Sequence, residues 1–492
     1  MRLTYNQVQS STAGLSAGPF SNAGQKEKLM KWRAPHVCVL FLSLMAPALV
    51  HAQFGGLIKK KAAEALKGKP VPPAPKPGPA TVSTSDPKAP EAGATTEPKA
   101  PAAVSTSEPK APAAASEAAF PARAQTSATV VEIAASLHVL VLLADGSVVA
   151  LGNNRSGQLG RPKVIRSFLP AERVPLPAKA VQVAAGEDTS FALLDDGTVW
   201  AWGRGYYRTL GVDLNGATER HTPEPIPKLH GVSQIVANGN TAMALMADGT
   251  VRAWGELPAF LTGGRAVDPG VSQPTPVPGL ENISHITGAP SMGFALTKDG
   301  RAIGWGQNDR GSLGLGHMTP EPQRPTELPL KDVVSIATVS GATAAVTRDG
   351  RVWTWGVNSQ AGLGNGLHGD TSDPGQPTPQ PVTGITDAVE VKTGSYGRHF
   401  IVRRRNSTLI GWGNSDWGQL GAGISGFHQP APKAIALPGV EAYWLGGNFS
   451  FARTKDGTIW FWGEKSGAQG LLGVNGHLRV PAIVPMEKLL PR

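Results

Sequence analysis

Residues Val181–Gly203 read VQVAAGEDTSFALLDDGTVWAWG. Two apolar runs, FALL at Phe191–Leu194 and VWAW at Val199–Trp202, flank the pair Asp196-Gly197. Asp-Gly between apolar runs is a preferred two-residue hairpin loop, because a type I′ turn needs positive φ at both central residues. The runs are therefore antiparallel strands, and a type I′ turn is predicted between them. Trp200 and Trp202 are two apart, so their side chains share one face of their strand. Val199 and Ala201 between them are apolar as well, as expected for a sheet covered on both faces.

Outward from this stretch the same phrase recurs. The first turn residue is Asp145, Asp196, Asp248, Asp299, Asp349, Asn406 and Asp456. Six positions later stand Leu151, Trp202, Trp254, Trp305, Trp355, Trp412 and Trp462. Each is followed by glycine, at Gly152, Gly203, Gly255, Gly306, Gly356, Gly413 and Gly463, with intervals of 51, 52, 51, 50, 57 and 50 residues. A fixed internal offset at a period near 50 marks a repeat architecture. Ahead of each hairpin lies a small-residue segment such as VAAG at Val183–Gly186 or LGGN at Leu445–Asn448, suited to a crowded strand near a ring axis. Behind it comes a proline-bearing segment, PEPIP at Pro223–Pro227 or PAIVP at Pro481–Pro485. Proline is excluded from central strands, so this is an outer edge strand.

Four short strands in about 50 residues make a propeller blade. The fold class is therefore all-β: a seven-bladed β-propeller of four-stranded antiparallel blades over residues 129–492. The repeats lie near 130–178, 179–229, 230–280, 281–330, 331–385, 386–440 and 441–489. Unit one has Leu151 for tryptophan, unit three has LTG at Leu261–Gly263, and unit six has Asn406-Ser407 for Asp-Gly. Units one and three are expected to be the least regular, and the turn of unit six to differ. The strand near Ala482–Pro485 is expected to complete the sheet beside Val130–Ala135 and close the ring.

Past each Trp-Gly comes GQLG, at Gly157–Gly160 and Gly418–Gly421, or a variant: SLG at Ser312–Gly314, GLG at Gly362–Gly364, LLG at Leu471–Gly473. With the DG…WG pair, these words resemble the regulator of chromosome condensation repeat over residues 130–489. The resemblance implies the seven-bladed fold. It also brings the family's namesake activity, guanine-nucleotide exchange on a small nuclear GTPase, and a secreted bacterial member that inhibits β-lactamases. The tryptophans and glycines above, from Gly152 to Gly463, are the structural repeat positions.

The chain from Met30 reads MKWRAPHVCVLFLSLMAPALVHAQF. Lys31 and Arg33 form a basic start, Val37–Val50 an apolar run, and Val50 and Ala52 are small residues ahead of Gln53. This is the pattern of a secretory signal peptide over residues 30–52. It is shorter than the about 20 apolar residues of a transmembrane span, so no span is expected in the mature chain. Residues 1–29 read as an unstructured leader, with Met30 as the start. Residues 53–128 are a Pro/Ala/Lys-rich linker in which VSTSDPKAP (Val82–Pro90) returns as VSTSEPKAP (Val104–Pro112). Such a composition buries too little apolar surface to order the chain, and its prolines favour an extended tether.

The net charge of +10 belongs mostly to these segments: residues 1–52 and 53–128 carry +4 each, which leaves +2 for residues 129–492. The propeller therefore lacks the basic stripe of a nucleic-acid binder. Cys38 lies in the signal peptide, which excludes a disulfide framework or a cysteine nucleophile from the mature protein. G-x-S-x-G, H-E-x-x-H and P-loop motifs do not occur. No metal or cofactor is expected, although His368, Asp370 and Asp373 of the long insertion Leu367–Pro381 are metal-ligating types.

The variable loops after Trp-Gly lie on one rim, and they carry the residue types that dominate interface hot spots. Arg155, Tyr206, Tyr207, Arg208, Asn308, Arg310, Asp416 and Trp417 are the candidate partner-binding residues. The chain is read as a monomeric, non-catalytic protein-binding scaffold, exported to the periplasm or outside the cell. Three alternatives stand beside it: an exchange-factor-like regulator, which the signal peptide would separate from its GTPase; a secreted enzyme inhibitor; and an envelope hydrolase or lyase with its site at the channel mouth.

Overall fold

The computed structural model describes residues 129–491 apart from 165–167, 215–216, 259–260, 262–269, 370–372, 395–396, 425 and 465–475. Residues 1–128, read above as leader, signal peptide and linker, and most of the loop of unit three lie outside the described residues. The described chain forms seven four-stranded antiparallel sheets, each built from consecutive strands. Blade two shows the order: an inner strand Ala180–Ala185, a second Thr189–Leu194, a third Val199–Arg204 and an outer strand Glu219–Pro225. The small apolar segments are the inner strands and the proline-bearing segments the outer ones, each paired on one side only.

The hairpin between second and third strands is not the type I′ turn predicted. Gly197 has φ +77, whereas Asp196 is not among the positive-φ residues. Gly197 N donates to Leu194 O, and Leu194 N to Thr198 O, which makes a type I turn with a glycine bulge. The aspartate is there for its side chain: Asp196 Oδ1 accepts from Thr198 N (2.9 Å) and Thr198 Oγ1 (2.7 Å). Those bonds hold its carboxyl below the usual range, as a neighbouring Ser or Thr hydroxyl also does at Asp145, Asp248, Asp299, Asp349 and Asp456. Unit six keeps the same turn rather than departing from it. Ser407 stands in the glycine position at φ 64, and Asn406 Oδ1 accepts from Thr408. A non-glycine residue in that region costs about 1–2 kcal/mol.

The conserved-looking words are joints between blades. Trp202 of blade two is fully buried and donates through Nε1 to Gln158 O of blade one (2.9 Å). Trp254, Trp355, Trp412 and Trp462 donate likewise to Thr209 O, Ser312 O, Gly362 O and Gln419 O of the preceding blade, at 2.8–2.9 Å. In three joints a hydroxyl shares the carbonyl: Ser190 at Gln158 O, Thr343 at Ser312 O and Ser450 at Gln419 O. The last glycine of the QLG word lies under the next indole. A Cβ on Gly364 (φ +61) would sit 2.9 Å from Trp412, and one on Gly421 (φ +65) 2.7 Å from Trp462. The word GQLG and the tryptophan about 43 residues later are therefore one structural device.

The ring does not close by strand exchange, contrary to expectation. Leu478–Ile483 pairs with its own blade's Ile459–Gly463, and Val130–Ala135 pairs only with His138–Leu143. Blades seven and one meet through side chains instead. Leu151, fully buried where other units have tryptophan, packs in one cluster with Trp444, Phe449, Phe451, Phe461 and Val484. Arg453 Nη1 also donates to Val130 O across this seam. Phenylalanines 5.1–5.9 Å apart supply the bulk that the missing indole would have given.

Candidate partner-binding rim

Second and third strands are joined on one face of the ring by the Asp-Gly hairpins. The loops between third and outer strands therefore all open on the opposite face, called here the Trp-Gly rim. An asparagine two residues after the glycine folds three of them, those of blades one, four and five. Asn154, Asn308 and Asn358 accept from Leu159 N, Leu313 N and Leu363 N at 2.9, 3.1 and 3.0 Å. Their amides donate onward to Pro162 O, His317 O and Leu367 O. Asn308 is thus only 1% exposed, and both ends of its amide are committed to the loop's own backbone. It is a scaffold residue, which corrects its selection as a contact residue from sequence.

The other candidates fall in separate patches. On blade two, Tyr206 is 52% exposed and meets Tyr207 edge-on at 4.6 Å. The Arg204 guanidinium lies 5.0 Å over the Tyr206 ring and 3.5 Å from Asp188. Asp188 also accepts from Gln158 Nε2 of blade one at 3.0 Å. Burial, with Glu187 close by, raises the Asp188 carboxyl above its usual range, and Arg204 partly offsets this. Lys163, Glu219 and His221 continue the patch, with Lys163 Nζ and His221 Nε2 at 3.0 and 3.1 Å from Glu219 Oε2.

The backbone under this patch is strained. Tyr207 (φ 52) and Arg208 (φ 62) are consecutive left-handed residues. Arg208 occupies the position that is Gly157, Gly311 and Gly418 in blades one, four and six, all left-handed there. Blade two therefore bears a strain of about 1–2 kcal/mol at this position, as blade five does with Gln360 (φ 61) and Ala361 (φ 62). Arg208 Nη1 lies 3.5 Å from Ser272 Oγ and 3.7 Å from Asp213.

Arg155 is exposed on blade one, and Arg310 on blade four. Arg310 lines a cavity of about 360 Å³ with Asp309, Gln307, Ser340 and Ser359. On blade six, Trp417 is 38% exposed and rests edge-on against His477 of blade seven at 4.7 Å. Asp416 N caps Asn414 Oδ1 at 2.9 Å. Beside them, His368 of the long insertion stacks on His428 at 4.8 Å, with Leu367 and Phe427 exposed alongside. Asp373 accepts from Asn358 N and Gly375 N, and so ties that insertion down; Asp370 lies outside the described residues. Tyr206 and Trp417 are three blades apart round the ring, roughly 150° by seven-fold geometry. The candidates thus share a rim but do not converge into one pocket.

Two further groups escaped the sequence reading. His138 Nε2 lies 2.6 Å from Ser190 Oγ, but both are sealed in the core, and the serine proton goes to Gln158 O. Burial holds that imidazole down at about 3, so the pair is a structural bond rather than a nucleophile and base. The axial channel gathers Glu132, His285, Glu390, Lys392 and Arg403 from blades one, four and six. Each is an ordinary polar residue in its own unit, and only superposing the inner strands reveals that they share a lumen. Among the described residues no group of three or more His, Cys, Asp or Glu is placed to hold a metal ion, and no helix is long and apolar enough to cross a membrane.

The family described as "Regulator of chromosome condensation (RCC1) repeat" matches this chain at residues 145–193, 196–245, 299–346 and 349–401, and a second model of the same description at 180–209 and 333–361. The chain is 28% identical over 351 residues to the ultraviolet-B receptor UVR8 of Arabidopsis thaliana, covering 69% of this chain and 78% of that protein. It is 29% identical over 226 residues to the protein pim1 of Schizosaccharomyces pombe, covering 42% of each. The match to the human E3 ubiquitin-protein ligase HERC2 is 31% identical over 191 residues, 37% of this chain and only 4% of that one. Among solved structures it resembles Prp20p of Saccharomyces cerevisiae (TM-score 0.60, 20% identity, 70% of this chain and 87% of that one). Human WBSCR16 is similar to the same degree (TM-score 0.60, 20% identity, 69% and 95%). Repeat words, blade joints and these likenesses agree: the chain belongs to the regulator of chromosome condensation repeat family.

Proposed function

We propose that this protein is a non-catalytic, exported scaffold that binds a protein partner through its Trp-Gly rim. The observation that carries the reading is the exposed cluster on blade two: Tyr206, about half exposed, meets Tyr207 edge-on and has the Arg204 guanidinium over its ring, with Arg208 next in the loop. Tyrosine and arginine gathered on one surface loop are the residue types that dominate contact surfaces. Protein binding has precedent in the fold. Prp20p is described with binding properties to Gsp1p and histones, and yeast RCC1 in complex with Kap60. Those partners belong to those proteins and do not carry over on fold likeness. The spread of patches over roughly 150° favours a partner wide enough to cover much of the rim, while the Pro-rich segment 53–128 would act as its tether.

Export rests on the tripartite segment Met30–Ala52. Amino-terminal sequencing of the protein isolated from its host is expected to begin at Gln53; a mature chain that retains Met30 inside the cell would return weight to the exchange-factor reading. The binding claim is tested by crosslinking pull-down from envelope and secreted extracts. Residues 53–492 are compared with a Tyr206→Ala, Tyr207→Ala, Trp417→Ala variant of unchanged melting temperature. A partner captured by the parent and lost in the variant is the expected result. Equal capture by both would refute the rim assignment.

A further inference from the structure

The axial channel is lined by one equivalent side chain from each inner strand: Glu132, Gln182, Gln234, His285, Ser335, Glu390 and Ala442, each at a shift in strand register. Four of these are spent on the neighbouring blade. Glu132, Gln182, Gln234 and Ser335 accept from Val183 N, Ile235 N, Ile286 N and Val391 N at 2.7–3.1 Å. Blade six is different. Glu390 receives Lys392 Nζ at 3.1 Å and Arg403 Nε at 3.4 Å, so a single carboxylate serves two cations. Lys392 also donates to Tyr443 O at 3.1 Å.

Across the lumen the groups facing these cations are weak counter-charges. Burial pushes the Glu132 carboxyl up to about 7, against the pull of Val183 N and of Lys392. Burial, with Lys392 second, holds the His285 imidazole below its usual value, and Glu390 pulls it the other way. At neutral pH and below, the lumen therefore carries excess positive charge. Its volume is about 550 Å³, within the 300–1,000 Å³ range of small-molecule sites. Its lining runs the length of the inner strands, from Val334 at the Asp-Gly end to Asn238 and Thr393 at the Trp-Gly end, and Val131, Val181 and Val334 are exposed at the Asp-Gly end.

We propose that the axial channel is a binding site for a small oxyanion, held by Lys392 and Arg403 on blade six and faced by His285 and Glu132. The ligand is either free or the carboxylate of an acidic peptide entering by the Asp-Gly face. None of the rim candidates lines this channel.

The test is calorimetric titration of residues 53–492 with sulfate, acetate and a hexaglutamate peptide at pH 6. Saturable one-to-one binding of at least one probe is expected, weakened tenfold or more by Lys392→Gln and by Arg403→Gln. Glu390→Gln removes the internal competitor and is expected to tighten binding several-fold, a gain that misfolding would not produce. Sulfate, which does not titrate here, is expected to bind more weakly as pH rises from 6 to 8 and Glu132 ionises, and Glu132→Gln to flatten that dependence. Binding of sulfate or acetate assigns a free ligand, whereas binding of hexaglutamate alone assigns a peptide carboxylate. The rim triple variant is expected to bind as the parent does. No saturable binding of any probe, or binding indifferent to Lys392→Gln and Arg403→Gln, would overturn the proposal.

Discussion

The two faces of the ring use the same seven-fold repeat in opposite ways. On the Asp-Gly face it is kept: six aspartates hold the same turn through a neighbouring hydroxyl, and unit six reproduces it with Asn406 and Ser407. On the Trp-Gly rim it is broken: each loop starts from Trp-Gly, or Leu-Gly in blade one, and then departs, to Tyr-Tyr-Arg in blade two and Asp-Trp in blade six. Turn and joint chemistry repeats because every blade must solve the same packing problem, whereas a surface that recognises one partner has no reason to be symmetric.

The largest effect should come from the frame beneath both faces. Gly364→Ala places a Cβ 2.9 Å from the Trp412 indole at a left-handed position. It is expected to cost about 2–4 kcal/mol in urea denaturation, from overpacking and backbone strain together. Trp355→Phe removes one donor from Ser312 O but leaves Thr343 Oγ1 on it, so about 1–2 kcal/mol is expected. If either change were neutral, the words GQLG and Trp-Gly would not be the joint described here.

Two smaller substitutions contrast the faces directly. Arg208→Gly installs the glycine of blades one, four and six and is expected to stabilise the fold by about 1 kcal/mol while weakening partner capture. Ser407→Gly relieves the same strain on the other face and is expected to stabilise by about 0.5–1 kcal/mol, with capture unchanged. Loss of capture in the Ser407 variant, or full capture in the Arg208 variant, would erase the distinction between the faces.

What the sequence disclosed follows the same division. Seven units, their strand order and the edge prolines were legible because Asp-Gly, Trp-Gly and proline act locally. The turn type was misjudged because Asp196 serves by its side chain rather than by positive φ, which composition does not distinguish. The ring closure was misjudged because nothing local marks Leu151 and the phenylalanines of blade seven as partners 300 residues apart. Asn308 looked like a contact because a polar loop residue is usually exposed, yet its amide folds the loop from within. The channel was invisible for a related reason: its titratable groups come from blades one, four and six and meet only when the ring forms. One signal was present in the sequence, the run of polar residues at the equivalent inner-strand position from Glu132 to Glu390.

The most direct test of the division between faces is site-specific photocrosslinking in the native host. A photoreactive residue is placed singly at Arg155, Arg310 and Trp417 on the Trp-Gly rim, and at Asp196, Asp349 and Ser407 on the Asp-Gly face. The account predicts a shared protein adduct from the first three positions and none from the last three. Adducts from the Asp-Gly positions, with the Trp-Gly positions silent, would contradict it.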